Sequence, residues 1–473
     1  MKKKYVRWTL WTIASPFILF IILCILIYLP PIQNFLVDKA AVYASEATGM
    51  NISVGRISLS FPLNLVVTNV DAASPHNDTL LSVRRLQVNV QLLPLLKKQV
   101  EVDGISLQGA TVNSNDLIHG MKLNGTLGEL FISSHGVALD PETAIVNKVL
   151  LKDTDLSLCL NDTAAADTAA SDTAYWKIIL QDIDLQNVSF ALDMPLDSLS
   201  LAASLDNAIL RDGLIDLHKS AYSLQTFRIE NGRVRYDNGK PLAADSLSSG
   251  LDPSHIALTD IGVKLDSLYY GGRNMKAIIS QFVLKERSGV EIVSATGRMV
   301  SNDKVLRVPS LKLETRDSYL ELNAAMDWNA LDFKDEGLVS ARLMADIGKP
   351  DMVRFMGSMD EKFIRQYPSE PLRIRTGIDG DLNKLKLTTL TAELPGALGL
   401  FARGELTHLT DSLLRGGDIT LEAETKDLKF VSTLAEGIEI PYGTRLEGKF
   451  TMAGTKMGTD LLLMQPEAQA AVA

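Results

Sequence analysis

A two-residue alternation of apolar and polar side chains runs through the chain from Asn51 onward, and it constrains the fold more than any other feature. Successive side chains of a β-strand point to opposite faces of a sheet, so this period is typical of strands with one apolar and one polar face. The clearest segments are Arg56–Phe61, Leu63–Val67, Ser82–Val90, Val290–Ser294, Lys312–Thr315, Ser318–Asn323 and Leu385–Thr388. The alternation predicts a mainly β body, an antiparallel sheet of short strands with a few short helices.

Four dipeptides that are typical of tight turns interrupt this alternation. They are Asp103-Gly104, Asn231-Gly232, Gly271-Gly272 and Asp379-Gly380. Such pairs readily adopt the positive φ angles that two-residue hairpin turns require. We therefore predict that one strand ends and the next begins at each of them.

An imperfect repeat occurs three times in the β body. Val102–Val112 superposes on Leu180–Phe190 without gaps, and Thr226–Tyr236 fits once Gly232 is treated as an insertion. Each copy places two apolar residues two positions apart, then a polar pair, and then a second alternating pair. We interpret each copy as a strand–turn–strand unit, although the spacing between copies is too irregular for a strict solenoid. The leading apolar residues of the copies are Ile105, Leu107, Ile183, Leu185, Phe227 and Ile229.

The segment from Trp8 to Leu29 is almost continuously apolar and carries no charged residue. About 20 such residues in a helix span the hydrocarbon core of a bilayer, so we predict a membrane anchor over 8–29. Residues 1–7 hold three lysines and one arginine, which places them in the cytoplasm and the body across the membrane. The alternative is a secretory signal that is cleaved near Ala40–Ala44, and in both cases the body is exported.

A second helix is predicted over residues 30–49. Apolar residues recur at helical spacing between Ile32 and Ala47, and Gly49 is a suitable residue to end the helix. Two interpretations remain open for this amphipathic segment. It lies on the membrane surface, or it caps the first end of the β body.

The rest of the chain divides by composition. Residues 50–160 form a first β region, and the Asp-Thr-Ala-rich stretch 161–174 is a low-complexity segment that we expect to be a mobile loop. The second β region, 175–473, contains a helical insertion near 350–367. There, Met352, Phe355, Met356, Met359 and Phe363 follow helical spacing, which predicts one amphipathic helix packed against the sheet.

No motif for catalysis, metal binding or cofactor binding is present in the chain. The sequence has no glycine-rich phosphate loop, His-x-x-x-His, Cys-x-x-Cys or Gly-x-Ser-x-Gly, and its six histidines are scattered singly. A net charge of −10 and an aromatic content of 6% argue against nucleic-acid binding, which needs basic surfaces and stacking platforms. We therefore expect no enzyme activity, no cofactor and no nucleic-acid partner.

The order of elements over residues 1–112 is the most specific pattern in the chain. Its parts are the basic start and anchor Lys2–Leu29, a helix that ends at Ala47-Thr48-Gly49, Ile52–Leu63 running into Leu65–Asp71, Leu81–Val90 before Leu92–Lys98, and Val100–Ala110. Arg228–Asp237 is similar to a later repeat of the same kind. In this order the chain resembles the AsmA-like family, the superfamily that includes the translocation and assembly module TamB. The family's C-terminal assembly region is not visible, so we expect an N-terminal part of a longer chain.

The resemblance implies a single-pass protein of the bacterial inner membrane whose body lies in the periplasm. It further implies an elongated β-sheet bent into an open groove that moves phospholipid between the inner and outer membranes and supports outer-membrane biogenesis. Members need no cofactor for this transport. The floor of such a groove would include Ile105, Leu107, Ile183, Leu185, Phe227 and Ile229, and the anchor would extend from Trp8 to Leu29.

Two other hypotheses remain at this point. The body is a scaffold for outer-membrane β-barrel proteins that offers its strand edges by β-augmentation, or it is an exported enzyme or adhesin on a membrane stalk. The alternation by itself does not choose between an open groove and a closed sandwich core. The AsmA and TamB subgroups are likewise not separated by these residues.

Overall fold

The structure is a computed structural model that describes residues 39, 41–42, 45–46, 49–60, 64–74, 79–91, 102–114, 120–138, 142–161, 176–239, 250–332, 337–356, 360–433, 440–465 and 468–472. The predicted anchor over 8–29 and almost all of the low-complexity segment lie outside these residues. Within them, no helix is both long and apolar enough to cross a membrane. Of the predicted helix over 30–49, the five described residues between 39 and 46 are helical.

The chain forms two compact units, residues 1–209 and residues 210–473. The first unit contains β1 (Asn51–Ser60), β2 (Asn64–Ala73), β3 (Thr79–Val90), β4 (Val102–Asn113), β5 (Met121–Ala138), β6 (Thr143–Leu160), β7 (Lys177–Met194), a short 3₁₀ helix (Pro195–Asp197) and the start of β8 (Leu199–Asp216). From β1 to β6 each strand pairs with the next in antiparallel orientation.

One strand pair of the first unit departs from the antiparallel prediction. β6 and β7 run parallel, with Thr143 opposite Lys177 and Cys159 opposite Asp193. A parallel pair needs a connection of a dozen or more residues, and residues 161–176, between the two strands, are long enough to supply it. The prediction of an antiparallel sheet is confirmed for the other described pairs of this unit and is wrong for this one.

The second unit continues the sheet architecture. Its strands after β8 are β9 (Ala221–Leu224), β10 (Thr226–Asn238), β11 (His255–Gly271), β12 (Asn274–Glu286), β13 (Glu291–Ser301), β14 (Val305–Thr315), β15 (Tyr319–Asp327), β16 (Leu338–Ile347), β17 (Leu372–Asp381), β18 (Lys384–Leu394), β19 (Leu398–Thr407), β20 (Gly416–Thr425), β21 (Arg445–Ala453), β22 (Lys456–Gln465) and β23 (Ala468–Val472). From β10 to β23 each strand pairs with the next in antiparallel orientation, and β9 pairs with β8 and β11. The mainly β prediction is confirmed.

The described helices are short. They are α1 (Trp328–Leu331), α2 (Lys349–Met356), α3 (Glu361–Gln366) and a second 3₁₀ helix (Val431–Thr433). The single amphipathic helix predicted near 350–367 is wrong, because the segment forms two helices, α2 and α3. Asp360 begins the second one, since its side chain accepts a hydrogen bond from the backbone N–H of Lys362 at 2.6 Å.

The strand–turn–strand interpretation of the repeat is also wrong. Each copy lies inside a single strand: the first in β4, the second in β7 and the third in β10. The polar pair between the apolar pairs is a kink with one left-handed residue, Gly109 (φ 61°), Asn187 (φ 51°) or Asn231 (φ 54°). Of the four predicted turns, only Gly271-Gly272 lies between strands, at the β11–β12 connection.

Candidate functional site

A break in the alternation recurs at one level of each strand from β1 to β7. Two residues, both apolar except in β6, are there separated by three positions instead of two, as in Val67 and Val70 of β2 or Leu107 and Ala110 of β4. Regular alternation would send such a pair to opposite faces of the sheet. In β1, β3, β6 and β7 the two residues within the gap are both exposed. The kink therefore keeps the apolar residues on both sides of it on one face.

Left-handed residues build this kink in four of the seven strands. They are Asn69 in β2, Gly109 in β4, Asp153 in β6 and Asn187 in β7, with φ between 50° and 61°. The strand register places them at one level, because the pairs on either side of the gap are aligned from strand to strand. Asn187 also donates a side-chain hydrogen bond to the Asp153 carboxylate at 2.9 Å. The kinks form one line across the strands.

Apolar residues lie opposite one another on both sides of this line. In the row directly beside the line, successive cross-strand partners are Ile57, Val67, Leu86, Leu107, Leu130, Leu151 and Leu185. In the next row the successive partners are Leu59, Leu65, Val88, Ile105, Ile132, Val149 and Ile183. The predicted floor residues Ile105, Leu107, Ile183 and Leu185 thus fall in two adjacent rows. At about 4.8 Å per strand, each row is about 29 Å long.

Two further rows lie on the other side of the kink. The nearer row contains Val54, Val70, Val83, Ala110, Leu127, Thr154 and Val188, and the outer row contains Ile52, Ala72, Leu81, Val112, Gly125, Leu156 and Phe190. Only one of these fourteen residues carries a polar side chain, Thr154. The four rows together give the first unit one apolar face.

The second unit has an apolar row of its own that crosses thirteen strands, β10 to β22. Successive register partners are Phe227, Leu265, Ile279, Gly297, Leu311, Leu322, Leu343, Thr376, Leu390, Ala402, Leu421, Gly448 and Leu461. The predicted residue Phe227 begins this row, and Ile229 lies beside it opposite Val263. Twelve strand spacings correspond to about 58 Å.

The opposite face of the second unit's sheet is hydrophilic. Cross-strand ion pairs lie on it, among them Lys312–Glu321 (3.9 Å), Arg375–Asp346 (2.7 Å), Lys384–Glu405 (3.3 Å), Arg445–Glu424 (3.6 Å) and Lys449–Asp418 (3.2 Å). Every side chain in these pairs is at least 36% exposed, so each pair adds little to stability. Their shared position identifies this face as the one that meets water.

No second layer of described residues covers the apolar face of the first unit. Of the residues in the four rows, only Ala72, Val83, Ala110 and Thr154 are buried, whereas the others are mostly half-buried. In a sandwich, the inner faces of two sheets interdigitate into a core about 10 Å thick, which buries such residues fully. The described part of the face is therefore open.

Two small buried clusters lie at opposite ends of strands β15 to β20 in the second unit. The α3 cluster consists of Phe363, Tyr367, Leu394, Ala397, Leu428 and Phe430, and the α1 cluster consists of Ala330, Val339 and Leu382. Leu394 ends β18, whereas Leu385, near the start of the same strand, packs against the α1 cluster. The apolar row through Leu390 runs between the two clusters, which form the rims of this part of the face.

The rim at the α3 cluster is held by aromatic packing and buried polar contacts. The Phe363, Tyr367 and Phe430 rings lie 5.1–5.7 Å apart, and burial raises the pKa of the Tyr367 hydroxyl. Helix α2 is fixed by Asp351, only 1% exposed, whose carboxylate accepts hydrogen bonds from Thr315, from Ser318 and, at 3.0 Å, from Arg354. Because Asp351 lies in an amphipathic helical pattern, its sequence context does not single it out.

The described residues contain no group of three histidine, cysteine or acidic side chains set to hold a metal ion. What the arrangement does offer is a wide apolar surface on one side of a sheet, which suits hydrocarbon chains. No family model matches the chain, and no curated protein matches its sequence. Functional assignment therefore depends on the apolar face itself.

Proposed function

We propose that this chain is a membrane-anchored, AsmA-like lipid carrier whose apolar sheet face forms the floor of a groove for phospholipid acyl chains. The observation that carries the proposal is the set of registered apolar rows that no described layer covers. The apolar segment 8–29 serves as the anchor in the inner membrane, and the body lies in the periplasm. Phospholipid moves along the rows between inner and outer membrane, which supports outer-membrane biogenesis.

The free energy gained by removing apolar surface from water favours acyl chains as the occupant of this face. Apolar surface in water costs about 25 cal/mol per Å², and soluble monomers rarely expose contiguous patches of more than a few hundred Å². Acyl chains on the rows remove this surface from water without requiring a second protein layer. The proposal thus explains why no described layer covers this face, whereas a closed core would require one.

Movement along the rows needs no chemical step. A methylene chain that passes from one strand to the next exchanges one aliphatic contact for another of similar strength, as along Leu311, Leu322 and Leu343. In the apolar row of the second unit, Thr376 is the only polar side chain. A path without large differences in free energy lets lipid diffuse in either direction.

Photo-crosslinking on both faces of two strands tests the proposal. A photoreactive residue at Leu107 or Leu185, in the first apolar row, should capture phospholipid in cells. The same residue at Gln108 or Gln186, one position along each strand, should not. Adducts with an outer-membrane barrel protein at the apolar positions would instead favour the scaffold, and adducts confined to the chain itself would indicate a closed core.

A further inference from the structure

A cleft of about 490 Å³ opens where β20 ends, beside the α3 cluster. Its wall includes two lysines, Lys426 and Lys429, and a set of less polar side chains, Leu428, Ile440, Pro441 and Tyr442. Ile440 and Tyr442 are 36% and 70% exposed, so the apolar part of the wall meets solvent. The cleft combines positive charge with an apolar surface.

The lysines stand on a well-fixed backbone. The N–H of Lys426 donates to the Ala397 carbonyl at 2.7 Å, and the Ser432 hydroxyl donates to the Lys429 carbonyl at 2.6 Å. Lys429 pairs with Asp427 at 3.4 Å, whereas Lys426 forms no ion pair within the described ranges. Among the described lining residues, two lysines and one aspartate give a net charge of one positive unit.

Leu428 connects this cleft to the apolar face. It lines the cleft and belongs to the α3 cluster, against which Leu372 and Leu398 pack. Leu372 and Leu398 are the first residues of β17 and β19, and in the register Leu398 lies opposite Leu394 and Leu372 opposite Ile347. The cleft therefore lies at the rim of the face, within reach of an amphiphile whose chain rests on the rows.

We propose that this cleft binds the phosphate-bearing head group of an anionic lipid. Lys426 and Lys429 form charge-assisted hydrogen bonds with the phosphate, while Ile440, Pro441 and Tyr442 contact the first carbons of the lipid. Free phosphate carries the same charge but gains nothing from the apolar wall, so an amphiphile fits the site better. The inference rests on the proposed lipid-carrying function and adds a preference for negatively charged lipids.

The composition of bound lipid tests this preference. The full chain is incubated with vesicles of equal parts phosphatidylcholine and phosphatidylglycerol, re-isolated, and its lipids are counted by mass spectrometry. The wild-type chain should be enriched about threefold in the anionic lipid, which corresponds to a modest electrostatic preference. The double variant Lys426→Gln/Lys429→Gln should return to equal parts with unchanged total lipid. The control Lys384→Gln/Lys449→Gln, on the hydrophilic face, should keep the enrichment.

The possible failures are distinguishable. If no variant and no wild-type chain carries lipid, the proposed function itself fails. If lipid is bound but the double variant keeps the wild-type ratio, only the head-group site is overturned. Titration of inorganic phosphate into the full chain should give no saturable heat, and saturable binding that the double variant loses would replace the lipid with free phosphate as the ligand.

Discussion

At the scale of single residues, the kink depends on side chains that tolerate the left-handed backbone conformation. Asn187 has a φ of 51°, and asparagine and glycine occupy this region more easily than other residues. Replacement by a β-branched residue should therefore destabilise the fold. We expect Asn187→Val to lower the free energy of unfolding by about 1–2 kcal/mol and Asn187→Gly to change it by only a few tenths, as measured by urea denaturation.

A second asparagine on the same strand pair is the matched control. Asn147 donates to Gln181 across β6 and β7, as Asn187 donates to Asp153, but its backbone is not left-handed. Asn147→Val should be neutral or slightly stabilising, because valine is favoured in strands. Equal losses for the two valine variants would show that the amide contact, rather than the backbone conformation, matters at Asn187.

An added charge distinguishes an open face from a closed core. Leu390 lies in the apolar row of the second unit, and the adjacent Thr389 is exposed on the other face. On an open face, Leu390→Glu should cost about 1 kcal/mol or less, because the carboxylate stays hydrated, and it should reduce bound lipid. Thr389→Glu should alter neither. A loss of about 3–5 kcal/mol at Leu390 would indicate a closed core.

Four members of the apolar rows, Ile105, Leu107, Ile183 and Leu185, could be predicted from the imperfect repeat, but the line of kinks between the rows could not. The kink was mistaken for a turn because Asn-Gly and similar pairs supply positive φ in both settings. Whether such a residue ends a strand or bends it depends on the partner strand. The partner strand also restricts the residue type at this level of β5, where a Cβ on Gly128 would lie 2.8 Å from the Cβ of Asp153.

At the scale of elements, strand identity was predictable and strand direction was not. Local alternation carries no information on which neighbour a strand will meet, so the parallel β6–β7 pair left no signal in either strand. The helical insertion shows the same limit. Apolar spacing from Met352 to Phe363 continues across Asp360, yet the hydrogen bond from the Lys362 N–H to the Asp360 side chain marks the start of a new helix there.

The α3 cluster should make the stability of the fold depend on pH. Burial raises the pKa of Tyr367 above its ordinary value of 10.0, so the unfolded chain loses this proton at lower pH than the folded chain. The contribution of Tyr367 is complete below about pH 10 and is lost as the pH rises through the folded-state pKa. We expect the urea midpoint of the wild-type chain to fall more steeply above pH 10 than that of Tyr367→Phe.

Below pH 9 the comparison of the wild-type chain with Tyr367→Phe serves as its own control. There the hydroxyl is protonated in both the folded and the unfolded chain, so any difference between wild type and Tyr367→Phe should be independent of pH. Parallel pH profiles through pH 11 would contradict the assignment of this loss to the α3 cluster.

At the scale of the whole molecule, the division into an apolar and a hydrophilic face matters more than any single contact. In both units the apolar residues are supplied by many strands, each of which adds a few aliphatic side chains to rows defined by the register. The proposed lipid-carrying function would be distributed over these rows and would need no catalytic motif. On that proposal, single substitutions on the face should reduce lipid binding gradually, whereas loss of the predicted anchor should act at once by releasing the chain from the membrane.

The last prediction concerns the whole molecule and tests whether the segment 8–29 is an uncleaved membrane anchor or a cleaved secretory signal. We expect the purified chain to begin at Met1 by intact mass and to resist alkaline extraction from membranes. Two charges in the middle of the span, Leu19→Arg/Leu23→Arg, should make the chain extractable, since each arginine costs about 2.5–3.5 kcal/mol at the bilayer centre. A mature chain that begins after Ala40–Ala44 would contradict the anchor. In that case the apolar face would have to acquire its lipid without being held at the inner membrane.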